Sequence, residues 1–258
     1  MNLKISLCQM DIQLGAPEEN LHRVERWVAS AARGGSGILL LPELWSTGYD
    51  LANASTLADP LGSGIFSEIS RLARTHGICI GGSTLEKSEG RVFNTFTIYG
   101  PDGSLQGCYR KVHLFRLMAE DTWLQPGDQL TIAETASTKA GMSICYDLRF
   151  PEIFRFYAAN GAQVFLIPAE WPAPRIEHWR VLLRARAIEN QVFVAAVNRV
   201  GKTNSNMFAG CSAVISPWGE VIVEGGSDES LLTAEIDLDE ITRARQKINI
   251  QGDRRPDV

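Results

Sequence analysis

Eight short apolar runs, rich in β-branched residues and bounded by Gly, Pro or Asn, recur from one end of the chain to the other: Leu3–Met10, Gly37–Leu41, Ile78–Ser83, Phe93–Tyr99, Gly141–Cys145, Gln163–Pro168, Phe193–Asn198 and Gly210–Ile215. Runs of this length and composition are strands rather than helices. Weaker strand patterns follow at Glu220–Val223 and Leu231–Ile236. Between them, helical periodicity is clearest at Pro17–Arg33, Phe66–His76, Pro151–Asn160 and Arg175–Asn190. Pro17, followed by Glu18 and Glu19, suits a helix start, because proline gives up no needed hydrogen bond in the first turn. Gly100-Pro-Asp-Gly103 and Pro217-Trp-Gly219 read as hairpin turns. Hairpins mixed with intervening helices specify an α/β chain with mixed sheets covered by helices, not a purely parallel doubly wound sheet.

No Pro/Ser-rich linker, composition shift or internal repeat divides the 258 residues, so the expectation is a single domain over 1–258. A core over about 3–240 and an irregular, charged C-terminal tail over 241–258, including Pro256, are expected within it. The net charge of -5, with Lys and Arg scattered, argues against nucleic acid or an anionic membrane as partner. No apolar run approaches the ~20 residues that span a bilayer, and Met1–Gln13 lacks the long apolar core of a signal peptide. Cys8, Cys79, Cys108, Cys145 and Cys211 are odd in number and far apart, with no Cys-x-x-Cys pair. That spacing predicts neither a disulfide framework nor a metal site, and it fits a reduced, cytoplasmic setting. No cofactor is expected. Gly81-Gly82 and Gly225-Gly226 lack the spacing of a phosphate loop and read as turns or bulges.

Three segments place a chemically capable side chain where a strand ends. In GMSICYDLRFPEIFRF, Cys145 closes an apolar run and Pro151 then opens an amphipathic helix. A strand–turn–helix junction exposes a nucleophile beside free N–H groups, and a helix N-terminus favours thiolate. An average cysteine is a small buried hydrophobe, but the Asp, Arg and Glu just after Cys145 are unusual for a core segment. In ILLLPELWSTGYD, Glu43 follows a Leu run, and partial desolvation there makes a carboxylate a stronger base; alone it would read as a surface turn acid. In GCYRKVHLF, Lys111 stands among apolar neighbours, which is costly without a partner; alone it would read as an edge lysine that discourages aggregation. His113 is a weaker base for Cys145, since no orienting Asn or Asp is evident nearby. Together the three residues supply a nucleophile, a proton acceptor and, with the Tyr146 N–H, an oxyanion stabiliser.

With these residues in view, the sequence resembles the nitrilase (carbon–nitrogen hydrolase) superfamily. Glu43 in LPELWSTGYD, Lys111 in YRKVHLF and Cys145 in ICYDLRFPE match that family's Glu–Lys–Cys triad, and the likeness runs from about residue 3 to residue 240. The resemblance implies a four-layer α/β/β/α sandwich that pairs into homodimers through a sheet-extending interface. It implies a second acid at Glu120, with Asp121 as the competing choice. CYDLRFPE and PAEWPAPRIEHWRVLLRARAIENQ are similar to the branch of ω-amidases, above all bacterial ones linked to methionine salvage. Their substrates are small 2-oxo acid ω-amides such as 2-oxoglutaramate. The rivals on the same triad are an N-carbamoyl hydrolase, a deaminated-glutathione-type amidase and a nitrilase. A thiol redox sensor and a non-catalytic binding module are the rivals of other classes.

The expected substrate-binding residues are Arg149, Tyr146, Glu170, Trp171 and Phe115. Arg149 either grips a substrate carboxylate in two-pronged fashion or pairs with Asp147 or Glu152. Trp171 lines the pocket or is ordinary core, and Phe115, Trp45 and Trp123 are candidate walls. Arg184, Arg186 and Glu189 fit helix ion pairing and subunit packing.

Overall fold

A computed structural model describes residues 1–135, 138–203 and 206–255. Two six-stranded mixed sheets stack face to face, with helices on both outer surfaces. The first sheet runs β14-β1-β2-β3-β4-β5, from β1 (Asn2–Gln9), β2 (Ile38–Leu40), β3 (Cys79–Ser88), β4 (Arg91–Tyr99), β5 (Leu105–Arg110) and β14 (Ser230–Asp237). The second runs β13-β12-β9-β8-β7-β6, from β6 (Ile132–Glu134), β7 (Lys139–Met142), β8 (Val164–Ala169), β9 (Phe193–Asn198), β12 (Ala213–Ile215) and β13 (Val221–Glu224). A small ribbon pairs β10 (Val200–Lys202) with β11 (Met207–Ala209). The helices are α1 (Pro17–Arg33), α2 (Ala54–Leu57), α3 (Gly64–His76), α4 (Glu120–Trp123), α5 (Pro151–Ala159), α6 (Ile176–Asn190) and α7 (Asp239–Lys247).

In each sheet three parallel strands, β1-β2-β3 and β7-β8-β9, form the middle, and antiparallel neighbours extend it. Period-two alternation explains the layering. Along β1, Leu3, Ile5 and Leu7 point into the core between the sheets, while Cys8 points the other way, toward α1 and α3. In β2, Ile38 and Leu40 face the second sheet and Leu39 faces the helices, so the run is apolar on both faces, as a central parallel strand requires.

Close approach has its own signature. A Cβ added at Gly107 in β5 would lie 2.7 Å from both Ala133 Cβ and Met142 Sδ of the other sheet. Gly81 and Gly82, expected as a turn or bulge, sit inside β3, and a Cβ at Gly82 would meet Leu41 Cβ at 2.7 Å. They mark tight packing rather than a change of direction.

Most predicted elements form within a residue or two, and Pro17–Arg33 and Phe193–Asn198 match at both ends. Two differences matter. The Gly141–Cys145 strand stops at Met142, and Cys145 instead opens a 3-10 turn, Cys145–Arg149. The expected tail from 241 is helical as far as Lys247, because Ile241 and Ala244 of α7 are buried. Pro256 lies outside the described residues. Among the described residues, no helix is long and apolar enough to cross a membrane.

Candidate active site

Glu43, Lys111, Glu120 and Cys145 come together where the two sheets meet, each buried. Glu43 stands just past β2 and Cys145 just past β7, and both exits turn sharply. Leu44 has φ +43° and Cys145 φ +44°, the left-handed region that non-glycine residues rarely occupy. Leu44 is held by its N–H to Ser83 Oγ (2.9 Å), and its carbonyl accepts the N–H groups of Thr47 and Gly48. The Cys145 turn is gripped from both sides. Asp147 accepts the Ile144 N–H (2.9 Å) and the Tyr109 hydroxyl (2.8 Å), while Arg186 from α6 donates Nε and Nη2 to the Leu148 carbonyl (3.1 and 2.8 Å). Arg186 also pairs with Glu189, as helix spacing suggested, while Arg184 donates to the Gly219 carbonyl.

Lys111 follows β5, its N–H on the Asn94 carbonyl (2.9 Å). Its ammonium lies between Glu43 Oε1 (2.7 Å) and Glu120 Oε1 (2.6 Å). Burial opposes the Lys111 charge, but Glu120 and Glu43 outweigh it and hold the ammonium above its ordinary pKa. Glu120 is steadied by the Phe115 N–H on Oε2 (2.8 Å) and by a hydrogen bond from Tyr49. Burial raises its pKa despite Lys111. Glu120 and Asp121 differ in position: Glu120 is buried on Lys111, whereas Asp121 lies at the surface against Arg116 (3.6 Å).

The two oxygens of Glu43 are treated differently. Oε1 accepts three donors: Tyr49 Oη (2.9 Å), Asn94 Nδ2 (2.8 Å) and Lys111 Nζ (2.7 Å). Oε2 accepts the Glu170 N–H (2.9 Å) and has room for another donor. The Cys145 thiol is buried beside this carboxylate, close enough for the two groups to influence one another's charge. Burial, then Glu43, push the thiol well above its ordinary pKa, against the opposing charge of Lys111. The N–H groups of the turn, which favour thiolate, are thus opposed here by burial and by the neighbouring carboxylate.

His113 does have the orienting acid that the sequence did not reveal. Its Nδ1 is 2.8 Å from Asp147 Oδ1 and its ring stacks on Phe150 at 3.6 Å, so it belongs to the rim. With Leu114, Phe115, Arg116, Leu117, Tyr146 and Phe150 it lines a cavity of about 420 Å³. The Phe115 and Tyr146 rings are 4.7 Å apart. Arg149 pairs with neither Asp147 nor Glu152. Its guanidinium lies over Trp171 (4.7 Å) and meets His178 Nδ1 at 3.3 Å. Trp171 is buried against Trp179, and Trp45 is buried beneath α1 and α3, so both are core. Trp123 is 46% exposed, because α4 turns it outward, and is no pocket wall. Glu170 is buried, with Oε2 on Arg199 Nη1 (3.0 Å).

Tyr49, Asn94 and Arg199 were not anticipated. Asn94 is a polar residue within the apolar run of β4, and Arg199 follows the apolar run of β9. The strand-exit criterion that picked out Glu43 would have found Arg199 as well. Among the described residues no group of three or more His, Cys, Asp or Glu side chains is placed to hold a metal ion.

A buried cysteine at a strained strand exit, a carboxylate with one lightly bonded oxygen and an ammonium held between two carboxylates make up the candidate site. The pattern of the carbon-nitrogen hydrolase family matches residues 4–246, and the chain belongs to that family. It is 44% identical to the 2-oxoglutaramate amidase of Bacillus subtilis (strain 168), covering 100% of both chains. It is 36% identical to the omega-amidase NIT2 of Xenopus tropicalis, over 93% of this chain and 91% of that one. The fold superposes with a TM-score of 0.93 on XC1258 of Xanthomonas campestris, a CN-hydrolase superfamily protein with an arsenic adduct in its active site. That protein is 33% identical, and the match covers 100% of this chain and 99% of the other.

Proposed function

We propose that the chain is an ω-amidase that hydrolyses small 2-oxo dicarboxylate monoamides, 2-oxoglutaramate being the prototype, to the dicarboxylate and ammonia. The observation that carries this reading is a base with one oxygen anchored and the other free beside a neutral thiol. Glu43 Oε2 takes the Cys145 proton as sulfur attacks the amide carbonyl. Lys111 and the Tyr146 N–H stabilise the tetrahedral oxyanion. Glu43 then protonates the departing ammonia, and the thioester that remains is hydrolysed by a water that Glu43 activates. Glu120 holds Lys111 in place. Arg149, whose guanidinium stacks on Trp171 without a carboxylate partner among the described residues, is assigned the substrate carboxylate, with Phe115 and Tyr146 as walls. The likeness to a 2-oxoglutaramate amidase and to an omega-amidase supports the substrate class.

The enzyme is read as a cytoplasmic homodimer. Five free thiols fit a reducing compartment. Phe156 of α5 with Val181 and Ile188 of α6 leave apolar side chains on the outer helical layer, which supports pairing there. Light scattering of the wild type and Val181→Glu tests the dimer, and an unchanged monomer mass in both would overturn it.

Ammonia release from 2-oxoglutaramate, glutamine, a simple aliphatic amide, an N-carbamoyl amino acid and a nitrile tests the activity, in wild type and Cys145→Ala. Turnover of the oxo-acid amide above all others, lost in a folded Cys145→Ala, is the expected result. Turnover of another substrate instead would overturn the pocket assignment. Wild-type turnover by Cys145→Ala would overturn the mechanism.

A further inference from the structure

Glu170 was expected to line the substrate pocket, yet its surroundings point to a different job. It follows Ala169 at the end of β8, and its neighbours fix it by main chain and side chain together. The Trp171 N–H donates to Asn198 Oδ1 (2.7 Å), and Asn198 Nδ2 donates back to the Trp171 carbonyl (3.1 Å). Arg199, fully buried, forks between Glu170 Oε2 (3.0 Å) and Asp11 Oδ1 (2.7 Å), and also donates to the Ile12 carbonyl (2.9 Å). What this clamp holds still is the Glu170 N–H, the donor on Glu43 Oε2. The second carboxylate oxygen of Glu170, Oε1, is buried with no hydrogen-bond partner among the described residues. An orphaned oxygen on a fully buried carboxylate is a reservoir of electrostatic strain.

We infer that Glu170 is a positioning residue for Glu43: its N–H aims the free oxygen of the base at the thiol, and its Arg199-anchored charge favours transfer of the thiol proton to that oxygen. The inference rests on Glu43 being the base and not on which amide is the substrate. In the step concerned, the S–H bond of Cys145 breaks and an O–H bond forms on Glu43 Oε2. The electron pair stays on sulfur as it attacks carbon. Before the step, the Glu170 and Glu43 carboxylates, linked through the Glu170 N–H, repel one another; afterwards Glu43 is neutral, and the repulsion is relieved. The charged and titratable groups around Glu170 are Arg199 and, through it, Asp11, together with Glu43, Lys111 and Tyr49. Burial, opposed by Arg199 and reinforced by Glu43, pushes the Glu170 carboxyl up to about 7, so its charge appears near neutral pH.

The test needs no substrate: the rate at which iodoacetamide alkylates Cys145, followed by mass spectrometry of the Cys145 peptide from about pH 5.5 to 9. In the wild type the rate is expected to climb through a transition near neutrality. Glu170→Gln, which keeps the N–H and loses the charge, is expected to lose that transition and to react about tenfold more slowly at pH 8, a change a rate comparison reads directly. Glu170→Asp restores the charge and is expected to restore the transition at a shifted midpoint. A folded Glu170→Gln with the wild-type rate and profile would overturn the inference. If Glu170→Gln does not fold, Glu170→Asp decides, and an unmoved midpoint overturns it. Glu43→Gln separates the two levels. Unchanged alkylation there removes the base itself, whereas slowed alkylation there with none in Glu170→Gln removes only the role of Glu170.

Discussion

Two clusters, each a cation between two carboxylates and buried except at Asp11, lie one hydrogen bond apart: Lys111 between Glu43 and Glu120, and Arg199 between Glu170 and Asp11. The arithmetic of charge is the same in both, but the cations differ in kind. The Lys111 ammonium is a compact charge whose short contacts are both to carboxylates. The Arg199 guanidinium is a planar fork that also binds the Ile12 and Val200 carbonyls, so it ties loops from both sheets together. In the proposed mechanism one cluster acts on a reacting atom and the other holds the first in place. A point charge can follow a developing oxyanion, whereas a fork spent on main-chain carbonyls cannot.

The comparison is broken most forcefully at Lys111. Lys111→Ala is expected to lower kcat at least a thousandfold, since it removes an oxyanion donor and leaves two buried carboxylates facing each other, and steady-state assay of ammonia release checks it. Arg199→Met should show the opposite balance, losing ~3–5 kcal/mol of stability in urea unfolding for a smaller fall in kcat. A thousandfold loss of kcat at unchanged stability would erase the distinction drawn between the cations.

The distinction sharpens with pH. The folded pKa of Glu170 is raised, to about 7, chiefly by burial, above the ordinary carboxylate value. A raised acid contributes stability that is fully present below its unfolded pKa and lost as pH rises through the folded one. Wild-type stability relative to Glu170→Gln should therefore fall between about pH 4.5 and 7, by ~3 kcal/mol at most, and level off above, in unfolding series at fixed salt. A difference that stays flat across that window would remove the pH argument. The smallest effect is expected from Tyr49→Phe, which deletes one donor to Glu43 and one to Glu120 while Asn94 and Lys111 remain: about a tenfold fall in kcat with KM little changed.

The legible and illegible parts of this molecule divide along the same line. Glu43, Lys111 and Cys145 stand out locally, because each is a reactive side chain placed against an apolar run, and the strands themselves follow from period and composition. Glu120 was narrowed to one of two neighbours, and only the turn that directs it inward separates it from Asp121. The Arg199 cluster joins residues 188 positions apart, and nothing local connects Asp11 to it. Asp147 was legible only as a charge near the thiol, because its partners Tyr109 and His113 come from the other sheet. Helix α7 went unread because two buried side chains, not a strong apolar stripe, dock it.

The narrow gap at Gly107 carries a consequence beyond packing. Lys111 is joined to β5 of one sheet and Cys145 to β7 of the other, so the distance between thiol and cation follows the thickness of a wall. At Gly107 the wall is thin enough to leave no space for a Cβ. A methyl group there would act as a shim, parting sulfur from nitrogen without touching either, and the enzyme's chemistry thus doubles as a gauge of how closely its two halves are pressed together.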